Sequence, residues 1–237
     1  MRIKNLQITE QDIIKASWVL LDDIGIEAFS MRKLAELLKI QAASLYWHFK
    51  SKQSIFQTLA NEVAKEALET ANLEGTWQEQ LFNFVDRIRG VLHKYPCSAQ
   101  LMMRTLPSEP NYLSLLNTLL QIVDHLPLSD SDKFSLIACV LNYVISFELD
   151  KYEQDRIDLA MKDEPNGDAR VVFKQSLEHL SGDGPNVIKR MYENNIFNEI
   201  GSDKMFYTGL KIMVGGIEQL ANERQEQQEQ QEQQVRR

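Results

Sequence analysis

Gln41, Ser44, Trp47 and His48 are the side chains whose types and spacing could do the most specific chemistry in this chain. At 3.6 residues per turn they share one side of a short helix. An amide, a hydroxyl, an indole N–H and an imidazole supply donors and acceptors suited to base edges and phosphate oxygens. The opposite side is apolar: Leu45 and Phe49, four apart, lie over one another and bury it. Just before it, Leu34, Leu37 and Leu38 give residues 31–38 an apolar face, and Lys39-Ile40 makes the turn. Two short helices with core-making faces, joined by a turn, are what is needed to lay the second helix in a major groove.

Other chemistry is absent. His48, His93, His125 and His179 have no metal-ligand spacing with one another or with Cys97 and Cys139. There is no phosphate-binding Gly-rich loop, no GxSxG elbow and no dinucleotide turn. The reading is therefore no catalytic residue, no metal and no cofactor: not an enzyme. The net charge of −8 over 237 residues argues against coating nucleic acid at large, but the charge is uneven. Residues 1–60 carry eight Lys/Arg against six Asp/Glu (+2), and the rest of the chain 18 against 28 (−10). A local basic face matters for phosphate contact, not the whole-chain sum. No run approaches a membrane span and no apolar signal core opens the chain, so a cytoplasmic protein with reduced, buried thiols is expected.

The elements that must hold this face are helical. Thr9 is a suitable N-cap for a helix to about Ile24, with Ile13, Ala16, Leu20 and Ile24 as its stripe and Gly25 as its left-handed stop. Ser30 caps residues 31–38, and Ser51 caps a third start that runs to about Ala71. Further helical patterns fall at 77–94, 98–104, 110–125, 130–152, 168–181 and 202–224, separated by Pro and Gly breaks. No alternating strand pattern is present. The fold class is all-α: a helix-turn-helix domain over 1–60, a larger helical domain over 61–224 for effector binding and dimerisation, and a polar Gln/Glu-rich tail over 225–237, solvated and frayed. Residues 153–167 are polar and read as a surface loop. Residues 134–147 are apolar on nearly every side, and 205–220 hold Gly209, Gly215 and Gly216, each costing about 1 kcal/mol relative to Ala. Together they form either a helical dimer interface or a crossing inside one core.

Residues 9–60 resemble the DNA-binding domain of the tetracycline-repressor (TetR) family, through GIEAFSMRKLAELL followed by SLYWHFKSKQSIF. TWQEQL near Trp77, RTLPSEPNYLSLL at 104–116 and GLKIMVGGIEQL at 209–220 resemble the regulatory domain of the tetracycline repressors themselves. The resemblance implies a homodimer with two reading heads on double-stranded DNA carrying a palindromic operator, and a small-molecule effector. It puts Arg32, Gln41, Ala42, Ser44 and His48 where the family reads bases or the adjoining backbone. It puts Ser30, Tyr46, Trp47 and Lys52 at phosphate contacts, with Lys33 and Lys50 either weaker contacts or solvated charges. Trp47 either faces the groove or packs beneath its helix. The family's turn usually holds Gly where this chain has Lys39, so the turn is either slightly strained or differently shaped.

The effector site departs from the family's habit. The tetracycline repressors hold a drug–magnesium complex through a histidine, an asparagine and a second histidine, and Leu68, Phe84 and Met102 stand at those positions. None does that polar work, and a thioether does not ligate a hard cation. Tetracycline–magnesium is therefore not the expected effector. What remains is apolar, Leu68, Phe84, Ile88, Met102 and Phe147, with Thr105, Thr118 and Asn142 as isolated polar points. Such a lining either takes an apolar or amphipathic molecule or is simply core. The resulting expectation is a repressor released by such an effector. The alternatives are a DNA-binding protein that is effector-independent or needs a co-repressor, and a helical small-molecule binder without DNA function.

Overall fold

The computed structural model describes residues 8–69, 73–161, 174–177, 179 and 186–236, and among these every regular element is helical. α1 (Glu10–Ala28) starts on a reciprocal cap. The Thr9 hydroxyl accepts the Asp12 amide at 3.2 Å, and the Asp12 carboxylate accepts the Thr9 amide at 3.0 Å. Gly25 adopts φ 70°, ψ 174°, so the expected stop is a kink, after which the helix resumes to Ala28.

α2 (Met31–Leu37) is capped by Ser30, whose oxygen accepts the Lys33 amide at 3.2 Å. Met31, Leu34 and Ala35 are buried, but Leu37 is 44% exposed. In so short a helix only a narrow stripe faces inward, and Leu37 lies beside it. Lys39 then takes φ 55°, so of the two readings of the turn the strained one holds. α3 (Ala42–His48) packs back on α2 through Leu45 and through Phe49 just beyond its end.

α4 (Lys52–Glu69) is shared between two cores. Ser51 and Ser54 cap each other's amides at 3.1 Å at its start. Ile55, Phe56 and Leu59 join the head core with residues of α1 to α3, whereas Ala60, Val63, Ala64 and Ala67 join the body core. Cys97 and Leu101 also insert into the head core, so the head is closed from below by the body.

The body is built from α5 (Trp77–Lys94), α6 (Ser98–Arg104), α7 (Pro110–Val123), α8 (Asp130–Met161), α9 (Val187–Glu193), a 3-10 turn (Ile196–Glu199) and α10 (Asp203–Val235). Three expectations change here. Residues 153–161 continue α8 instead of forming a loop, while 162–167 lie outside the described residues. Of the expected helix 168–181, only 174–177 and 179 are described. The tail extends α10 to Val235 with no buried residue after Ala221 among those described. Good intrinsic helix formers and i,i+4 bonds, Gln219 to Glu223 at 2.9 Å and Gln225 to Glu229 at 3.2 Å, sustain it without an apolar face.

The helix glycines divide in function. A methyl on Gly209 would collide with the Tyr143 hydroxyl of α8, which donates to the Phe206 carbonyl at 2.9 Å. Gly215 and Gly216 are exposed and have nothing within 4 Å of where a Cβ would stand.

Candidate nucleic-acid interface and effector domain

The caps and the two short helices bring the polar residues of the head to one surface. Gln41 is exposed at the N-cap of α3, and its side chain makes no capping bond, which leaves the amide to recognise something else. Ala42, Ser44 and His48 are half-buried along the same helix. Trp47 is 89% exposed and Tyr46 53%. The indole thus points outward and does not pack beneath its helix. Arg32 and Lys33 are exposed at the start of α2, and Lys39 and Lys50 are also exposed. Arg32 Nε pairs with Glu36 at 3.0 Å, but with both side chains mostly in solvent this pair is weak and yields readily to another partner. The Ser30 hydroxyl accepts the Lys33 amide, and its own proton remains a donor.

Lys52 stands apart from this set. Its ammonium donates to the carbonyls of Ile26 at 3.1 Å and Phe29 at 2.9 Å, and lies 5.0 Å from the Phe56 ring and 5.9 Å from that of Phe29. Burial pushes its pKa down, with Glu27 opposing. The side chain expected at a phosphate ties the end of α1 to the start of α4, because the carbonyls at the end of a helix have no donor within it.

The expected pocket positions fare differently. Phe84, Ile88, Met102 and Phe147 are buried together in the body core, with Leu68 packed at its margin. Thr105 and Thr118 spend their hydroxyls on their own helices, bonding the carbonyls of Leu101 at 2.8 Å and Ser114 at 2.9 Å. Asn142 is exposed and does not face that core. Tyr112, next to Met102, is buried deeply enough that its pKa is pushed up to about 12.

Residue-type reasoning missed the main polar feature of the body. Arg89 is 9% exposed and bonds Glu148 Oε1 and Asp203 Oδ1, each at 2.8 Å, so that α5, α8 and α10 meet at one guanidinium. Its plane lies 4.2 Å from the Phe206 ring. Burial alone would lower the Arg89 pKa; the bonds to Glu148 and Asp203 outweigh it and hold it above the ordinary value. A signal was present. Arg89 follows Val85 by four residues and Glu148 follows Val144 by four, which places both charges on apolar helix faces.

Similarity to known proteins follows the same division into head and body. Residues 13–59 match the family described as bacterial regulatory proteins, tetR family, and residues 69–221 match the Tetracyclin repressor-like, C-terminal domain. The chain belongs to the TetR family. It is 30% identical over 138 residues to an HTH-type transcriptional regulator of Saccharopolyspora erythraea, over 58% of each chain. It is 26% identical over 215 residues to the class G tetracycline repressor protein of Vibrio anguillarum, covering 88% of this chain and 92% of that one. A possible TetR family transcriptional regulator from Streptomyces coelicolor superposes with a TM-score of 0.68 over 89% of this chain and 98% of the other, at 19% identity, a likeness of fold. The protein is thus a TetR-family transcriptional regulator with a DNA-binding and a ligand-binding domain, a transcription factor and not an enzyme, in a family that is typically dimeric. Among the described residues no helix is long and apolar enough to cross a membrane.

Proposed function

We propose that this TetR-family protein is a homodimeric repressor whose head, residues 1–60, reads a palindromic operator, and whose body, residues 61–224, carries the effector site and the dimer face, with 225–237 as an appendage. The observation that carries this reading is the outward face of α3: an uncapped Gln41 amide, the Ser44 hydroxyl, His48 and a Trp47 that is 89% exposed. Gln41 and Arg32 discriminate bases, Ala42 meets a thymine methyl, and Ser44 and His48 read bases or the adjoining backbone. Ser30, Tyr46 and Trp47 grip phosphates, with Lys33 contributing charge. Lys52 is best taken as a positioning residue behind them, given its two carbonyl partners.

A second copy of the chain accounts for the uncovered face of α8 and α10. Phe134 (61% exposed) and Ile212 (71%) stand out from that face, with Cys139, Asn142, Gly215 and Gly216 also exposed. The two glycines allow a partner backbone to come close, which justifies their cost inside a helix. The effector is an apolar or amphipathic small molecule and not tetracycline–magnesium, because Leu68, Phe84 and Met102 offer no ligand for a hard cation. It acts by favouring a conformer whose heads no longer match successive major grooves, which requires different affinities for the two conformers. One observation favours a second reading, an effector-independent protein or one needing a co-repressor: Phe84, Ile88 and Met102 fill the interior themselves.

Footprinting on DNA flanking the protein's own gene, across a salt series, tests the proposal. A protected palindrome whose affinity falls steeply with salt is expected. Salt-insensitive binding without a protected site would overturn it.

A further inference from the structure

A cleft of about 570 Å³ opens between α1 and α4, where head and body meet, and takes part neither in the DNA-reading face nor in the apolar core positions. Its volume suits a drug-sized molecule, for which cavities run from roughly 300 to 1,000 Å³. The apolar part is aromatic. The Trp18 and Tyr95 rings stand 4.7 Å apart, tilted by 35°, beside Ile14 and the edge of Phe49. Both rings are only half-buried, so their outer surfaces border open space.

The polar part selects the charge of the occupant. Four carboxylates line the cleft, Glu10, Glu62, Glu66 and Glu69, against two ammonium groups, Lys15 and Lys65. Lys65 stands 3.9 Å from Glu69 and compensates it in part. Glu66 accepts Lys94 at 2.7 Å and the Tyr95 hydroxyl at 2.6 Å, and these bonds hold its carboxyl below the usual carboxylate range. Lys94, whose ammonium also lies 5.0 Å from the Tyr95 ring, thereby neutralises Glu66, and the carboxylate of α4 left without an ion pair is Glu62, one turn before it. An anion would meet this excess of negative charge, and a neutral apolar molecule would shield the carboxylates from water without replacing it. A cation with an apolar body satisfies rings and carboxylates together, and the rings attract it in their own right.

We propose that this junction cleft is a second small-molecule site, taking a drug-sized amphipathic organic cation with its apolar body against Trp18 and Tyr95 and its charge toward Glu62. Because α1 belongs to the head and α4 passes from the head core into the body core, an occupant touches both sides of the joint and biases the angle between them. That coupling rests on the DNA-reading proposal; the binding itself does not.

Tetraphenylphosphonium and tetraphenylborate have the same shape and opposite charge. Each is titrated calorimetrically into the DNA-free full chain. The phosphonium is expected to bind, and the borate about tenfold more weakly or worse. Glu62→Gln, at an exposed position, should weaken the phosphonium several-fold without altering the fold, and so should Trp18→Phe. With Trp47 and Trp77 replaced by Phe, Trp18 fluorescence should report the same Kd. No phosphonium binding, equal binding of both ions, or an affinity indifferent to Glu62→Gln and Trp18→Phe would overturn the site. Operator affinity is then measured with and without the phosphonium. Binding that leaves it unchanged would overturn the coupling alone, and a missing operator would count against the DNA reading while the calorimetry still decides the site.

Discussion

Head and body are each fastened around an internal cation, and they hold it by opposite means. In the head, Lys52 meets neutral partners, two backbone carbonyls and two aromatic rings. In the body, Arg89 meets full charges, Glu148 and Asp203, with Phe206 stacked beneath. Removing a cation from carbonyls leaves dipoles short of a donor. Removing one from a buried carboxylate leaves an uncompensated charge, which costs far more. The head is thus a small unit with a modest clasp, and the body a larger one whose three main helices are locked through a single ion cluster.

The largest effect should come from breaking that lock. Arg89→Met leaves Glu148, 5% exposed, with only the largely solvent-exposed His93 imidazole at 3.5 Å, and should cost about 3 kcal/mol in thermal or urea unfolding. Adding Glu148→Leu should restore most of it, because an apolar pair of similar volume is often as stable as a buried ion pair. If the double variant is no more stable than the single one, the loss lies in packing on Phe206 and not in the charge, and the contrast with Lys52 falls.

Lys52→Met comes next, at about 1–2 kcal/mol for two hydrogen bonds and the ring contacts. The sharper readout is the salt dependence of DNA binding. A phosphate contact, as expected from sequence, would flatten the slope of log affinity against log salt by about 0.9 on removal. A clasp leaves the slope unchanged while stability falls. Lys33→Ala provides the comparison, since its ammonium is exposed and its loss should flatten the slope without touching stability. A flattened slope in Lys52→Met would put that side chain back on the DNA.

Gln41→Ala probes the reading face without disturbing the clasp. It should relax sequence preference by roughly 1–3 kcal/mol at the contacted base pair if the amide bonds it in bidentate fashion. Unfolding should be unaffected, because the side chain makes no capping bond. An unchanged preferred sequence would remove Gln41 from the readers.

These cases also mark what the sequence could express. Caps are written locally: Thr9, Ser30 and Ser51 sit next to the helices they start, and periodicity put Leu45 and Phe49 inside. The Lys52 clasp is not local. Its carbonyl partners, at the end of α1, are 26 and 23 residues away, and no pattern in the sequence announces that they will meet it. Arg89 and Glu148 lie 59 residues apart and each looks like surface charge until its apolar face is counted. Asn142 reads as an isolated polar point in an apolar run, but the position faces out. The persistence of α10 through a tail with nothing to bury shows propensity prevailing where burial is absent, the reverse of its usual place as a weak prior.

The smallest effect is expected at the turn between α2 and α3, where Lys39 is the head's counterpart of two left-handed non-glycine residues in the body, Cys97 (φ 57°) and Asn195 (φ 58°). Lys39 holds φ 55°, a conformation that costs an L-residue roughly 1 kcal/mol and glycine almost nothing. Its backbone is pinned there from both sides: the Lys39 amide bonds the Glu36 carbonyl at 3.1 Å, and the Ile40 amide bonds the Ala35 carbonyl at 3.0 Å. The side chain itself is exposed. Lys39→Gly should therefore relieve the turn, offset by the greater freedom of glycine in the unfolded chain, for a net gain of about 0.5 kcal/mol. Chemical denaturation with an unchanged m-value would register it. The same substitution removes one positive charge near the reading helix, so DNA affinity should fall slightly as stability rises. A loss of stability instead would mean that the lysine stem stabilises the turn by packing, and that a left-handed residue in the head costs nothing that a glycine would recover.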